Sequence, residues 1–293
     1  MSIVNFGSIN IDLVYRVDRF VQPGETIHAL DHQRFAGGKG FNQSIALARA
    51  GAKPQHIGRV GPDGQWLLDM LETEGVDTKG IETCDMPTGH AVIQVDAQGE
   101  NSILVHGGAN QEISEAQFSK ACSQLGEADW VVLQNEINAL AAVMEAARTQ
   151  GSTIVLNPSP MEDSIHQLPL HAVDVFILNR SEGEALSGER EVERILDALR
   201  ARYPRASTVL TLGDQGVRYV SEGERIVVPA EPVRAHDTTG AGDTFAGFFL
   251  AERYAGVDPT PALRTACRAA ALCVTRPGAA ASIPRRSELA LES

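Results

Sequence analysis

The chain has 293 residues, 43% of them hydrophobic and 22% charged, and a formal net charge of −13 at pH 7. The length allows one large domain or a domain with an appendage, the composition is that of a globular protein, and the acidic balance argues against nucleic acid or an anionic membrane as the main partner. No apolar run approaches the ~20 residues of a membrane span, and the first residues lack the pattern of a signal peptide.

The cysteines form no CxxC pair and no dense framework. We therefore expect four reduced thiols and a cytoplasmic protein. They are Cys84, Cys122, Cys267 and Cys273.

Short apolar runs alternate with segments of helical length. Ile3–Gly7 reads as a strand, and Phe41–Ala50 has the pattern of a helix that ends at Gly51. Fully apolar strands alternating with helices predict an α/β fold with a mostly parallel sheet covered on both faces. The other predicted strands are Trp130–Leu133, Thr153–Leu156, Val173–Leu178 and Thr208–Leu212.

Two regions depart from this pattern. Residues 12–36 alternate polar and apolar side chains, and residues 89–106 read as a hairpin around Gln98-Gly99. Both suit antiparallel strands with one solvated face. They form either a small lid outside the main sheet or an antiparallel edge of it, and periodicity leaves both arrangements open.

Polar clusters follow four of the predicted strands. Because ligands of open α/β sheets bind beyond the carboxyl ends of the strands, the set predicts a polar cleft there. A single cluster of this kind is more often a turn or a helix cap. The clusters are Gln134-Asn135-Glu136, Asn157-Pro158-Ser159-Pro160, Asn179 to Glu182 and Gly213-Asp214-Gln215-Gly216.

Residues 237–247 read DTTGAGDTFAG and lead into a helical pattern. The N–H groups of Gly240, Ala241 and Gly242 at a helix start would suit the charge that develops on a phosphoryl group in transfer. Asp243 beside them could accept a proton from an attacking hydroxyl. Alternatively, Asp243 caps the helix and the glycines form a tight turn.

The segment AGGKGFNQS, residues 36–44, lacks the spacing of a P-loop. Gly37-Gly38 permits close backbone approach to a ligand, and Lys39 and Asn42 share a helix face. In the earlier segment GSINID, Asn10 and Asp12 point the same way. Together these side chains predict a polyol site, although a solvated lysine and an N-terminal helix cap explain AGGKGFNQS on its own more simply.

Asn179 and Glu182 are three residues apart after a predicted buried strand. The pair could hold a hydrated Mg²⁺, which needs few protein carboxylates. The same spacing fits an N-cap followed by a first-turn glutamate.

The ordered segments GSINID, GGKGFNQS, NPSP, NRSE, TLGDQG and DTTGAGDTFAG resemble the ribokinase family of carbohydrate kinases over about residues 3–284. The resemblance implies a single ribokinase-like α/β domain over residues 1–293, a three-layer sandwich with a β lid. The lid would comprise about residues 12–36 and 89–106, and in this family it commonly forms a homodimer contact.

The resemblance also implies ATP, Mg²⁺ and a monovalent cation, usually K⁺. Asp243 would be the catalytic base, and Gly240, Ala241 and Gly242 the anion hole. Sugar contacts would come from Asn10, Asp12, Gly38, Lys39, Asn42 and Glu136. Asn179 and Glu182 would lie near Mg²⁺ and the phosphates, Glu182 acting through water, with Thr211, Gly213, Gly216, Ala241, Gly242 and Cys267 at the nucleotide. The monovalent cation would be held by Asp237, Thr239, Ser282 and the backbone carbonyls of Cys273, Arg276 and Gly278.

Cys267 stands where this family frequently has His or Asn, and Phe41 stands where it usually has Ala. These departures bear on the substrate and not on the reaction class. From the polar set Asn10, Asp12, Lys39, Asn42 and Glu136, the AGGKG spelling and the GENSI hairpin, we expect an ATP-dependent kinase that phosphorylates D-ribose at O5 to ribose 5-phosphate. The alternatives are the same chemistry on deoxyribose, another pentose or hexose, or a nucleoside, and a non-catalytic sugar sensor.

Overall fold

A computed structural model of the chain describes residues 2–290. Met1 and residues 291–293, which belong to the single domain predicted over residues 1–293, lie outside the described residues. The strands are β1 (Ile3–Phe6), β2 (Asn10–Arg16), β3 (Asp31–Gly37), β4 (Pro54–Val60), β5 (Asp77–Thr83), β6 (Gly89–Val95), β7 (Asn101–His106), β8 (Trp130–Gln134), β9 (Thr153–Asn157), β10 (Val175–Asn179), β11 (Ser207–Thr211), β12 (Val217–Ser221) and β13 (Glu224–Val228).

Nine strands form the central sheet, in the order β13-β12-β11-β10-β9-β8-β1-β4-β5. The strands from β11 to β5 run parallel, whereas β12 and β13 add an antiparallel edge. The mostly parallel α/β fold predicted from the apolar runs is confirmed. Parallel strands are buried on both faces, which is why their sequences read as continuous apolar runs.

Helices cover both faces of this sheet and complete three layers. Along β10, Ile177 belongs to one buried cluster, shared with α1, α2, α7 and α8, while Phe176 and Leu178 belong to the other, shared with α3 to α6. Within residues 2–290 no helix combines the length and apolar content of a membrane span. The helices are α1 (Lys39–Arg49), α2 (Gln65–Thr73), α3 (Glu115–Cys122), α4 (Leu140–Thr149), α5 (Arg180–Ser187), α6 (Val192–Arg202), α7 (Ala241–Tyr254) and α8 (Pro259–Cys273).

A second sheet of four strands stands apart from the first, in the order β3-β2-β6-β7. The β2–β3 and β6–β7 pairs are antiparallel, as expected, but the central β2–β6 pair is parallel. Each of the two predicted regions thus forms an antiparallel pair, and the two pairs join through parallel strands. Strand β2 follows β1 along the chain, and β6 follows β5. Because β1 and β5 run in the same direction in the central sheet, the two segments that follow them enter the second sheet in the same direction.

Helices α1 and α7 pack closely beside the carboxyl end of the central sheet. A Cβ atom added at Gly247 of α7 would lie 2.3 Å from Ala46 Cβ of α1. Glycine at this position therefore lets the helices approach, which brings the first turn of α7 against side chains near the start of α1.

Candidate active site

A polar cleft of about 490 Å³ opens at the carboxyl ends of the central strands, against the first turn of α7. An adjoining, more apolar pocket of about 350 Å³ continues from it. The cleft is lined by Lys39, Asn157, Ser159, Asn179, Glu182, Thr211, Gly213, Thr238, Gly240, Gly242 and Asp243, among others.

Asp243 lies buried in the first turn of α7, and its carboxylate faces α1. Asn42 Nδ2 donates to Asp243 Oδ2 at 3.0 Å, and Gln43 Nε2 donates to Asp243 Oδ1 at 3.0 Å. The N-cap of α7 is Gly240, and that helix start has no side-chain cap. The geometry therefore removes the alternative in which Asp243 caps its own helix.

The glycine turn before α7 forms a cradle of backbone N–H groups. Gly240 has φ 75°, which favours glycine, and a Cβ added at Gly242 would meet nothing within 4 Å. Within residues 2–290 the N–H groups of Gly240 and Gly242 have no acceptor, whereas the Ala241 N–H donates to the Thr238 carbonyl at 3.3 Å. Two N–H groups are therefore free for an anion, and the third has a long turn bond.

Asn10 lies at the base of the second sheet and is held by a residue that sequence reasoning missed. Asn110 Nδ2 donates to Asn10 Oδ1 at 2.7 Å, while Asn110 also bonds the backbone of Ile9. This contact leaves the Asn10 Nδ2 group as a donor. Asn110 belongs to a short 3₁₀ segment without an amphipathic pattern, so the sequence offers no signal for it.

The carboxyl groups of Asp12 and Glu136 lie close enough for Glu136 to influence the ionisation of Asp12. Burial and the nearby Glu136 raise the pKa of Asp12 to about 6. Burial also raises the pKa of Glu136, against the hydrogen bonds from Ser8 and Lys39. Glu136 Oε2 accepts from the Lys39 N–H at 2.9 Å and from Ser8 Oγ, and its Oε1 has no donor in the described chain.

Two glycines provide the space around these carboxylates. A Cβ at Gly37 would lie 2.1 Å from Asp12 Oδ2. Gly38 caps α1 with φ 92°, and a Cβ there would lie 2.9 Å from the Asn10 backbone nitrogen. The Gly37-Gly38 pair therefore lets the backbone approach Asp12 and Asn10 closely, and its approach to a ligand stays a prediction.

Lys39 lines the cleft among three carboxylates, those of Asp243, Glu136 and Glu182. Burial alone would lower its pKa, but Asp243, Glu136 and Glu182 outweigh burial and raise the pKa. The ammonium group is therefore held in its charged form where anionic groups surround it.

Asn179 and Glu182 form a complete capping box at the start of α5. The Glu182 N–H donates to Asn179 Oδ1 at 2.9 Å, and the Asn179 N–H donates to Glu182 Oε2 at 2.9 Å. Burial raises the pKa of Glu182, which lines the cleft. This is the N-cap with a first-turn glutamate that the spacing also fitted, and both Glu182 oxygens already accept bonds from Asn179.

Asp237 is the centre of the predicted monovalent-cation group. Its Oδ1 accepts from Thr239 N–H at 2.9 Å and from Thr239 Oγ1 at 2.6 Å, and its Oδ2 accepts from the Gly278 N–H at 2.8 Å. Burial raises the pKa of Asp237, but these bonds outweigh burial and lower it. The Asp237 carboxylate therefore favours its ionised form beside the glycine turn.

The remaining members of the cation group adjoin Asp237 through the end of α8. Cys273 Sγ lies 3.0 Å from Ser282 Oγ and 3.9 Å from the Thr239 carbonyl. The Arg276 side chain is paired with Glu288 at 2.6 Å. The Arg276 guanidinium is therefore held by Glu288, and the cation role of the Arg276 carbonyl stays a prediction.

The adjoining pocket contains the predicted nucleotide residues Thr211, Gly213, Gly216 and Cys267. Burial and the nearby Glu231 raise the pKa of Cys267 to about 11, so a neutral thiol lies on the pocket wall. Gly216 has φ 80°, and a Cβ there would lie 2.1 Å from the Val228 carbonyl. Glycine is required for this turn.

Gln43 is the second residue that sequence reasoning missed. It adjoins Asn42 in GGKGFNQS, and adjacent helical residues point in different directions. The interpretation of one polar face through Lys39 and Asn42 therefore excluded it. Its bond to Asp243 shows that the helix contributes two faces to the site.

The fold and this cleft define the class of protein: an ATP-dependent carbohydrate kinase, with a buried aspartate beside free N–H groups at the end of a parallel sheet. The pattern of the pfkB family carbohydrate kinases matches residues 1–286, and the chain belongs to that family.

Individual relatives narrow the class to ribokinase-type sugar kinases. The chain is 36% identical over 298 residues to a ribokinase of Staphylococcus aureus (strain COL), covering 98% of each. It is 30% identical over 293 residues to a deoxyribokinase of Salmonella typhi, covering 97% of this chain and 96% of that one. The structure of Arabidopsis thaliana ribokinase complexed with ribose and ATP superposes with a TM-score of 0.86 at 30% identity, covering 98% of this chain and 97% of that one.

Proposed function

We propose that this enzyme transfers the γ-phosphoryl group of ATP to O5 of D-ribose and releases ribose 5-phosphate. The observation that carries the proposal is the position of Asp243. It lies at the start of α7, between the free N–H groups of Gly240 and Gly242 and the amide side chains of α1. A base and an anion cradle thus adjoin one cleft.

Asn42 supports a hydroxylated substrate. Its Nδ2 donates to Asp243, while its Oδ1 is buried and has no partner within residues 2–290. A buried acceptor without a donor is costly, and a sugar hydroxyl would satisfy it. A hydroxyl bonded there would lie close to the Asp243 carboxylate.

The other sugar contacts follow from unused polar atoms. Asn10 Nδ2 is available to donate to a sugar hydroxyl, and Glu136 Oε1 is available to accept from one. Asp12 adds a second carboxylate beside them. Such a mixture of donors and acceptors matches neighbouring hydroxyls of a furanose. It supports a pentose and does not by itself select ribose.

In the reaction, Asp243 accepts the proton of the O5 hydroxyl as that oxygen attacks phosphorus. The N–H groups of Gly240 and Gly242 stabilise charge on the transferred group, and Ala241 joins them if its turn bond opens. Lys39 adds a fixed positive charge in the same cleft.

Two cations fit the site. Glu182 would hold Mg²⁺ through water, and Asp237, Thr239 and Ser282 would hold K⁺ beside the cradle together with the backbone carbonyls of Cys273, Arg276 and Gly278. When bound, Mg²⁺ neutralises charge on the phosphates.

The first test is the Asp243→Asn variant, which keeps the shape of the side chain and removes the base. We expect ribose and ATP to bind as in the wild type and turnover to fall by at least about 100-fold. Calorimetry measures the binding, and a coupled ADP assay measures the turnover. Full activity in the variant would exclude Asp243 as the base.

The second test identifies the sugar. The deoxyribokinase relative keeps 2-deoxyribose as the main alternative. The remaining alternative substrates are other pentoses, hexoses and nucleosides. The nucleosides are disfavoured because a chain with 5% aromatic residues offers few rings to stack on a base. One coupled assay over this panel, with and without K⁺, ranks the substrates by kcat/KM. Ribose binding without ATP consumption would instead identify a sugar sensor.

We also propose that the second sheet is a lid over the sugar site and forms a homodimer contact in a cytoplasmic enzyme. Its edge strand β7 supports this because three consecutive apolar residues are exposed. Ile103, Leu104 and Val105 are 54%, 71% and 57% exposed. An exposed apolar edge strand is a ready surface for pairing with a second copy.

A further inference from the structure

Gln43 is buried beside Asp243, and each polar atom of its side chain amide has a protein partner. The residue is 1% exposed. Its Nε2 donates to Asp243 Oδ1 at 3.0 Å and to Asn157 Oδ1 at 3.1 Å, and its Oε1 accepts from Gln134 Nε2 at 2.8 Å. Gln43 therefore has no atom left for a substrate, and whatever it does for the reaction it does through Asp243.

The two neighbours of Gln43 fix which end of its amide faces Asp243. Asn157 Nδ2 donates to the Ile177 carbonyl at 3.0 Å, so Asn157 presents its oxygen to Gln43. Gln134 Nε2 also donates to Asn5 Oδ1 at 3.0 Å, so Gln134 presents its nitrogen. With an acceptor on one side and a donor on the other, Gln43 can present only its NH₂ group to the carboxylate.

This arrangement differs from that of Asn42, the other amide on Asp243. The Asn42 side chain has an unpartnered Oδ1, so it is not anchored on its oxygen side. Gln43 is anchored by β8 and β9 and does not depend on the sugar. Asn42 is therefore the amide that would contact the sugar, and Gln43 is the amide that holds the Asp243 carboxylate.

We propose that Gln43 is a positioning residue for Asp243, anchored through Gln134 and Asn157. Its N–H donation holds the plane of the Asp243 carboxylate in one orientation relative to the cleft. The proposal rests on the function proposed above, in which Asp243 is the general base.

The test is the Gln43→Met variant, which keeps the length of the side chain and removes the donor. We expect kcat to fall about tenfold or more, while KM for sugar and for ATP changes little. Because the ionised carboxylate loses a donor, the acid limb of the kcat–pH profile should move to higher pH. A purely structural role would leave that limb in place.

Gln117 provides a matched control. It is a buried glutamine, 5% exposed, whose Nε2 donates to the carbonyls of Gly58 at 2.8 Å and Gly80 at 3.0 Å, away from Asp243. Gln117→Met should lower the thermal midpoint without moving the acid limb. If Gln43→Met keeps the wild-type acid limb, or changes kcat no more than Gln117→Met does, the proposal is wrong.

Gln43→Glu covers the case in which the methionine variant does not fold, because it has the same shape. A second carboxyl against Asp243 would share a proton with it, so the acid limb should again move to higher pH. An unshifted limb in this variant also overturns the proposal. A failure of the proposed function is distinct, since it would appear as full activity in Asp243→Asn or as no sugar-dependent ATP consumption by the wild type.

Discussion

At the scale of single residues, His56 shows how burial around the site couples stability to pH. The ring is fully buried between Ser44 Oγ, 2.8 Å from Nδ1, and the Gly7 carbonyl, 3.1 Å from Nε2. Burial lowers its pKa from 6.5 to about 4. The folded protein thus holds a neutral imidazole at pH values where the unfolded chain is protonated.

The consequence is a loss of stability as pH falls. Between pH 6.5 and about 4 the unfolded state binds the extra proton, so the unfolding free energy decreases with decreasing pH. From pH 7 to pH 5 the contribution of His56 is about 2 kcal/mol, at about 1.4 kcal/mol for each pH unit below 6.5. Urea unfolding at both pH values should show a smaller decrease in His56→Gln than in the wild type.

The exposed His28 is the control for this measurement. His28→Gln should keep the wild-type difference between pH 7 and pH 5. An identical difference in His56→Gln and the wild type would mean that His56 is not the buried neutral group that the contacts describe.

At the scale of elements, the site depends on the spacing of α1 and α7. Gly247→Ala would place a Cβ 2.3 Å from Ala46 Cβ and 2.8 Å from the α1 backbone, so the helices must separate. We expect the unfolding free energy to fall by about 1–3 kcal/mol. Turnover should fall as well, because the bonds from Asn42 and Gln43 to Asp243 cross this contact.

Gly126 offers the comparison for that substitution. A Cβ there would meet only Asp129 Oδ2, at 3.8 Å, which is an ordinary contact. Gly126→Ala should therefore change neither turnover nor stability appreciably. Thermal unfolding and the coupled assay compare both variants, and wild-type turnover in a destabilised Gly247→Ala would show that the helix spacing does not position the base.

The strands that could be predicted from the sequence are those buried on both faces of the sheet. The strands β8 to β11 are buried on both faces and read as apolar runs. The edge strand β5 (Asp77–Thr83) is half exposed and polar. Its sequence therefore contains no apolar run from which the strand could be predicted. Likewise, no local pattern encodes the parallel pairing of β2 with β6, because it follows from the direction of distant strands.

At the scale of the whole molecule, the site combines both sheets. Asn10 and Asp12 come from β2 of the second sheet, whereas Asp243 and Glu182 belong to helices at the carboxyl end of the central sheet. The motifs GGKGFNQS and DTTGAGDTFAG could each be recognised from the sequence, because each has its own residue spacing. The amide network through Gln43 and Gln134 could not, because it depends on side chains 91 residues apart meeting in the folded core.

The second sheet also sets the expected assembly of the molecule. Among residues 2–290, strand β7 pairs with β6 alone, and its Leu104 is 71% exposed. Leu104→Glu places a charge in the proposed dimer contact, where burial would be unfavourable. We therefore expect light scattering after gel filtration to give the mass of two chains for the wild type and of one chain for the variant. Val227→Glu, at a 62% exposed position on the edge strand β13 of the other sheet, should remain dimeric. A monomeric wild type, or a Leu104→Glu variant that keeps the mass of two chains, would place the interface elsewhere or exclude it.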